Sequence, residues 1–75
     1  MIFYKMDVEE ELRKHGYNSY RLKKDNLLPA TTLTRIKNGE NITMNTLNSL
    51  CVMLRCQPSD IIGFQITDEE KIKFF

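Results

Sequence analysis

The sequence predicts an all-α domain of five short helices. Three observations support this fold class: apolar residues recur at helical spacing, cap-forming residues precede the apolar segments, and glycine or asparagine follows them. The chain has 75 residues, 41% of them hydrophobic and 28% charged, which suits one small core and leaves no room for a second domain. We therefore expect a single domain over residues 1–75, with its folded core at about residues 6–63.

The first predicted helix begins after Asp7 and ends near Gly16. Asp7 and Glu10 have the spacing of a capping box, in which each residue satisfies a backbone N–H of the other. Val8 and Leu12 then lie one turn apart on one face. Gly16 suits the left-handed position that follows many helices.

The second and third predicted helices are short and are joined by a turn of a few residues. Asn18 caps the second helix, Leu22 faces the core, and Asn26 tolerates the left-handed backbone of the turn. Pro29 suits a first helical turn, and the third helix runs from there to Lys37 or Asn38. Two such helices meet the requirement of a helix-turn-helix, which presents its second helix to the major groove of DNA.

The fourth predicted helix begins after Thr43 and carries the clearest apolar stripe. Its apolar residues follow the i, i+3, i+4, i+7 spacing of one helix face. They are Leu47, Leu50, Cys51 and Leu54. A short fifth helix is expected from about Pro58 to Gly63, with Ile61 and Ile62 closing the core.

The two terminal segments do not follow the helical pattern. Residues 2–4 favour β-structure, and residues 71–74 alternate polar and apolar side chains with period two. We expect short strands at both ends, which either cover the domain's own core or form a dimer interface. The apolar candidates for that interface are Ile2, Phe3, Tyr4, Phe64, Ile66, Ile72, Phe74 and Phe75.

The charges are balanced overall but unevenly placed. Lys and Arg number 11 against 10 Asp and Glu, for a net charge of +1. Between Asn18 and Asn38, however, the only acidic residue is Asp25. The cationic residues of that stretch are Arg21, Lys23, Lys24, Arg35 and Lys37. The helix-turn-helix segment is therefore locally basic, as a polyanionic partner requires.

Several classes of function are not expected. The longest apolar runs cover only a few residues, where a bilayer span needs about 20, and no export leader precedes them, so we expect a cytoplasmic protein. Zinc usually needs four ligands, whereas only His15, Cys51 and Cys56 are available. If both cysteines lie on one helix they point about 140° apart, which disfavours a disulfide. Lacking a nucleophile–base pair and a phosphate loop, the chain is not expected to be an enzyme or to bind a cofactor or small molecule.

The sequence resembles the lambda-repressor and Cro-like (Xre-type) helix-turn-helix family, in particular its small single-domain members. The similarity covers about residues 6–63 and rests on residues 18–22, 28–39 and 46–61, which read NSYRL, LPATTLTRIKNG and TLNSLCVMLRCQPSDI. Lys23 stands where the family often has a small residue, and Leu27 where it often has glycine. The resemblance implies a five-helix lambda-repressor-like domain and a sequence-specific transcriptional regulator that acts as a repressor.

The resemblance also implies roles for residues of the second and third helices. The expected base-reading residues are Ala30, Thr31, Thr34 and Arg35. An arginine donates two hydrogen bonds to guanine, and threonine or alanine contacts base edges or the thymine methyl group. The expected phosphate-binding residues are Asn18, Ser19, Lys23, Lys24, Lys37 and Asn38.

The implied partner is double-stranded DNA, bound by a homodimer, because one recognition helix reads only a few base pairs. The alternative is a protein-interaction module of the same fold, such as an antitoxin or antirepressor. A positive surface around the third helix would favour DNA, whereas an apolar or acidic surface would favour a protein partner.

Overall fold

A computed structural model describes all 75 residues and contains six helices and a two-stranded sheet. The strands are β1 (Ile2–Tyr4) and β2 (Ile62–Phe64). The helices are α1 (Val8–Lys14), α2 (Ser19–Lys24), α3 (Ala30–Lys37), α4 (Met44–Leu54), α5 (Pro58–Ile61) and α6 (Asp68–Phe74). Helices occupy all five predicted positions, but the five-helix prediction omits α6. None of the helices combines the length and the apolar character that crossing a bilayer requires.

Polar side chains begin the helices at the positions that the sequence predicts. Asp7, Asn18 and Thr43 each accept a hydrogen bond from the backbone N–H three residues later, at 3.1, 2.8 and 3.1 Å. Each bond satisfies one of the amides that a helix leaves without a partner in its first turn. The start of three of the helices is thus determined by residues next to it in the sequence.

Four helices end in the same left-handed turn, at Arg55 for α4 and at glycine or asparagine for α1, α2 and α3. In the last three, the residue after the C-cap has a positive φ, of 85° at Gly16, 53° at Asn26 and 73° at Gly39. The next backbone N–H then bonds to the carbonyl five residues earlier, at 2.8, 2.9 and 2.8 Å, which closes a Schellman motif. Asn26 therefore supplies the conformation that glycine supplies after α1 and α3, as predicted.

Replacing Gly39 by alanine should lower the free energy of unfolding by about 1 to 2 kcal/mol, the cost of a side chain in left-handed backbone. A Cβ at this position meets no heavy atom within 4 Å, so backbone strain is the only cause. Urea denaturation followed by circular dichroism measures the change. Arg55 already has a φ of 53°, and Arg55→Gly should shift the urea midpoint in the opposite direction. A loss of stability in both variants would contradict the explanation.

The core lies between α1, α2, α3, α4 and α5. Its ten buried residues are Val8, Leu12, Leu22, Leu28, Ile36, Leu47, Leu50, Met53, Leu54 and Ile61. The predicted apolar stripe of α4 is confirmed at Leu47, Leu50 and Leu54, whereas Cys51 is only half-buried and Met53 takes a core position. Helix α1 packs against both α3 and α4, so the core fixes the position of α3.

The prediction of a strand at the C-terminal end is wrong. Strand β1 is present as predicted, but it pairs antiparallel with β2, with Ile2 opposite Phe64. Helix α5 accordingly ends at Ile61, before Gly63. Residues 71–74 belong to α6, whose acidic first turn and basic last turn both match the helix dipole. These local helix-forming features outweigh the period-two alternation.

Thr67 and Glu70 begin α6 with a capping box. The Thr67 side chain accepts the Glu70 N–H at 3.2 Å, and the Glu70 carboxylate accepts the Thr67 N–H at 3.0 Å. The same carboxylate lies 2.6 Å from the amino group of Met1. The hydrogen bond from this amino group, and secondly the one from the Thr67 N–H, hold the pKa of the Glu70 carboxyl below its usual value. Glu70 therefore connects the start of α6 to Met1, the residue that precedes β1.

Candidate nucleic-acid interface

Helices α2 and α3 are both anchored to the core, which fixes the faces that they leave to solvent. Leu22 of α2, Leu28 of the turn and Ile36 of α3 are buried. Pro29 has extended backbone (φ −64°, ψ 148°) and forms the N-cap from which α3 begins. Beyond α3, the Tyr4 hydroxyl donates a hydrogen bond to the Glu40 carbonyl at 2.7 Å. The core thus holds α3 along its inner side.

The four predicted base-reading residues share the outer face of α3. Ala30, Thr31, Thr34 and Arg35 are exposed, whereas Thr32 and Leu33 are half-buried. Residues at i, i+1, i+4 and i+5 occupy one side of a helix. The fold therefore brings these side chains together opposite the buried Ile36, and we call them the α3 outer face.

The α3 outer face offers hydrogen-bonding groups of two kinds. The Thr34 hydroxyl donates to the Ala30 carbonyl at 3.1 Å, so toward solvent it presents an acceptor oxygen and a methyl group. Arg35 takes part in none of the five ion pairs of the structure and makes no side-chain hydrogen bond, so its five N–H donors are free for a ligand. None of the four residues is a carboxylate, and the acidic neighbour Glu40 shares a surface cleft with Arg35 without forming an ion pair.

The predicted phosphate-binding lysines differ in their environment. Lys23 and Lys24 of α2 are exposed and lie in no ion pair, and the Lys24 ammonium sits 5.8 Å from the centroid of the Tyr20 ring. Lys37, by contrast, lies 3.3 Å from the Glu9 carboxylate of α1. Glu9 partly neutralises Lys37, which sequence reasoning missed because the partner belongs to a different helix.

The predicted polar phosphate-binding residues lie at the start of α2 and at the end of α3. Asn18 uses its side-chain oxygen to cap α2 and keeps its amide N–H groups, and the neighbouring Ser19 hydroxyl is exposed without a partner. Asn38 is the exposed C-cap of α3. Tyr20 was not predicted, yet its phenol is exposed and lies beside Lys24. The i, i+4 spacing of the two residues is the feature that could have indicated the pair.

Arg21 belongs to the basic stretch of the sequence, but its guanidinium makes contacts with other residues of the fold. Its guanidinium donates to the Gly16 carbonyl at 3.2 Å, stacks 4.4 Å from the centroid of the Tyr17 ring, and lies 3.7 Å from the Asp25 carboxylate. It therefore joins the turn before α2 to the end of α2. The cations of the helix-turn-helix that have no acidic partner are Lys23, Lys24 and Arg35.

No cluster of His, Cys, Asp or Glu side chains is arranged to hold a metal ion. Cys51 and Cys56 are free thiols, and burial raises the pKa of the Cys56 thiol. Helix α4 ends at Leu54, so the two cysteines do not share a helix, and the angular separation used in the prediction does not apply. The chain turns at Arg55 instead, and the Cys56 N–H bonds to the Cys51 carbonyl at 3.1 Å.

Comparison with known families identifies the arrangement. The family model of the Cro/C1-type HTH DNA-binding domain matches residues 8–67, a span that begins at α1 and contains the whole helix-turn-helix. Comparisons with curated proteins and with solved structures gave no match. The family is one of DNA-binding regulators and not of enzymes. The resemblance seen in the sequence is thereby confirmed: the chain belongs to the family of Cro/C1-type HTH DNA-binding domains.

Proposed function

We propose that this chain is a sequence-specific transcriptional repressor that acts in the cytoplasm as a homodimer and reads the major groove with α3. The observation that carries the proposal is the α3 outer face, where two threonines, an alanine and an unpaired arginine lie opposite a side held by the core. The major groove is about 12 Å wide and admits one α-helix. Residues 1–75 act as one domain in this proposal.

The surroundings of α3 favour DNA over a protein partner. The α3 outer face holds hydroxyls and a guanidinium, with no large apolar side chain and no carboxylate. Lys23 and Lys24 extend the positive charge onto α2, where they would neutralise phosphates. Asn18, Ser19 and Asn38 supply neutral donors that fix the register of the protein on the backbone. These features support base reading by Ala30, Thr31, Thr34 and Arg35.

A homodimer follows from the number of bases that one helix can read. A single recognition helix contacts a few base pairs, and paired helices on half-sites about 34 Å apart multiply the information read. A two-fold symmetric protein then requires a palindromic site. Occupancy of such a site where it overlaps a promoter is sufficient for repression.

Selection from a pool of random duplexes tests this function. The chain should enrich a palindrome, and a reporter whose promoter overlaps that palindrome should lose expression when the chain is produced. Thr31→Glu places a carboxylate on the α3 outer face and should abolish the enrichment. Val52→Glu adds the same charge to an exposed residue of α4 and serves as the matched control. A pool that shows no enrichment with the unchanged chain would overturn the proposal.

Affinity for the selected duplex should fall with salt, because each cation that contacts a phosphate adds about −0.9 to the slope of log K against log salt concentration. Lys24→Ala should remove about one such contribution. Lys37→Ala should change the slope less, since the Glu9 carboxylate lies 3.3 Å from the Lys37 ammonium. Fluorescence anisotropy across a salt series measures all three slopes. A slope near zero for the unchanged chain would argue against contact with phosphates.

A further inference from the structure

Helix α6 is the one helix of the structure without a buried residue. It spans seven residues, whereas helices shorter than about 12 to 15 residues are only marginally stable in water without tertiary packing. Its capping box and charges help, but they do not cover its apolar side chains. Ile72 and Phe75 are 85% and 88% exposed. The helix therefore has an apolar side that the rest of the chain does not cover.

The uncovered apolar side of α6 has a defined position. Ile72 of α6 and Phe75, the C-cap that follows the helix, are three residues apart and so lie on the same side, whereas the exposed Phe74 lies on another side. Glu70 lies on a different side, where it bonds to Thr67 and to the amino group of Met1. The side that carries Ile72 and Phe75 is thus directed away from this attachment. It is available to another molecule.

The charges of α6 indicate that this molecule is a second copy of the chain. Asp68, Glu69 and Glu70 make the first turn acidic, and Lys71 and Lys73 make the last turn basic. Two copies of α6 in antiparallel orientation place the acidic turn of each beside the basic turn of the other. A parallel pair would place like charges together. A two-fold axis perpendicular to the helices generates this antiparallel pairing of identical helices.

We propose that α6 is the surface through which two copies of this chain pair, antiparallel, with Ile72 of each copy packed against Ile72 of the other at the two-fold axis. Glu69 of one copy then lies beside the partner's Lys73. The proposal rests on the homodimer of the proposed function and assigns its interface. The oligomeric state and the charge-reversal series are measured without DNA, so their outcome is independent of DNA recognition.

The oligomeric state of the full chain tests the apolar contact. Sedimentation equilibrium should give a dimer for the unchanged chain and a monomer for Ile72→Asp, whose substitution is at an exposed residue and leaves the core intact. Val52→Asp, at an exposed apolar residue of α4, is the matched control and should remain a dimer. A monomer at all concentrations of the unchanged chain, or a dimer broken by Val52→Asp and not by Ile72→Asp, would overturn the proposal.

A charge-reversal series tests the orientation. Glu69→Lys and Lys73→Glu should each raise the dimer dissociation constant about tenfold, because the two-fold axis creates two like-charged pairs. A mixture of the two single variants restores opposite charges between the chains but not within either helix, and should form heterodimers with about the original constant. If these charges acted only within their own helix, the mixture would pair no more tightly than either single variant, and the antiparallel pairing would be rejected. A monomeric protein that still enriches a half-site would likewise reject it and leave DNA binding in place.

Discussion

Arg35→Ala is expected to weaken binding to the preferred duplex by about 1 to 3 kcal/mol and to remove the preference at one position of each half-site. The unpaired guanidinium is the group of the α3 outer face that can donate two hydrogen bonds to guanine. Because Arg35 is exposed and makes no ion pair, its removal should leave the free energy of unfolding nearly unchanged. A loss of binding therefore cannot be attributed to unfolding.

Lys24→Ala is the matched control for Arg35. This variant removes an exposed, unpaired cation from α2 rather than from the α3 outer face, so it should weaken binding to all duplexes alike. Competition of both variants against single-base changes of the selected site separates the two effects. Arg35 does not specify a base if its alanine variant retains the original order of preference.

Leu50→Ala is expected to lower the free energy of unfolding by about 2 to 5 kcal/mol, through lost transfer free energy and the cavity that remains. Leu50 is fully buried in the middle of α4. A domain of this size has a total stability of about 4 to 11 kcal/mol at typical values per residue, so one substitution removes a large part of it. The variant should lose DNA binding on mild warming, although the α3 outer face is unchanged.

Val52→Ala provides the comparison on the same helix. Val52 is 68% exposed, and its truncation should change the free energy of unfolding by less than about 0.5 kcal/mol. Urea denaturation monitored by circular dichroism measures both variants. Equal losses at Leu50 and Val52 would contradict core packing as the cause, since alanine has a higher helix propensity than either residue.

The sequence predicts the helix-turn-helix well because its boundaries are determined locally. Asn18 caps α2 with its own side chain, Asn26 adopts the left-handed turn, and Pro29 directly precedes α3. Each of these features depends on residues within one or two turns. The outward direction of Thr31 and Arg35 then follows from the period of the helix, once Ile36 is assigned to the core.

The errors concern segments in which two local preferences compete. Residues 71–74 alternate like a strand, yet the Thr67 cap and the order of charges favour a helix, and the sequence alone does not rank the two. The partner of β1 could not be predicted either, because the segment 62–64 follows a short helix and contains Gly63. Strand pairing between distant segments is not encoded in the pattern of either strand alone.

The contacts that the cationic residues make within the fold could not be predicted from the sequence either. Arg21 and Lys37 look like the other basic residues of the segment, but one holds the turn before α2 and the other meets Glu9. Both roles depend on which helices lie side by side. The charge available to DNA is therefore smaller than the composition of residues 18–38 indicates.

The pairing of β1 with β2 implies that this small sheet opens before the helices do. It joins segments from nearly opposite ends of the chain, whereas every helix end is closed by hydrogen bonds within a few residues. Closing so long a loop costs entropy that only the finished core offsets. The amide hydrogens of this small sheet should exchange with solvent deuterium well before those of α4, as local fraying and not as global unfolding. The helix-turn-helix would then remain folded and able to bind DNA while β1 detaches and returns.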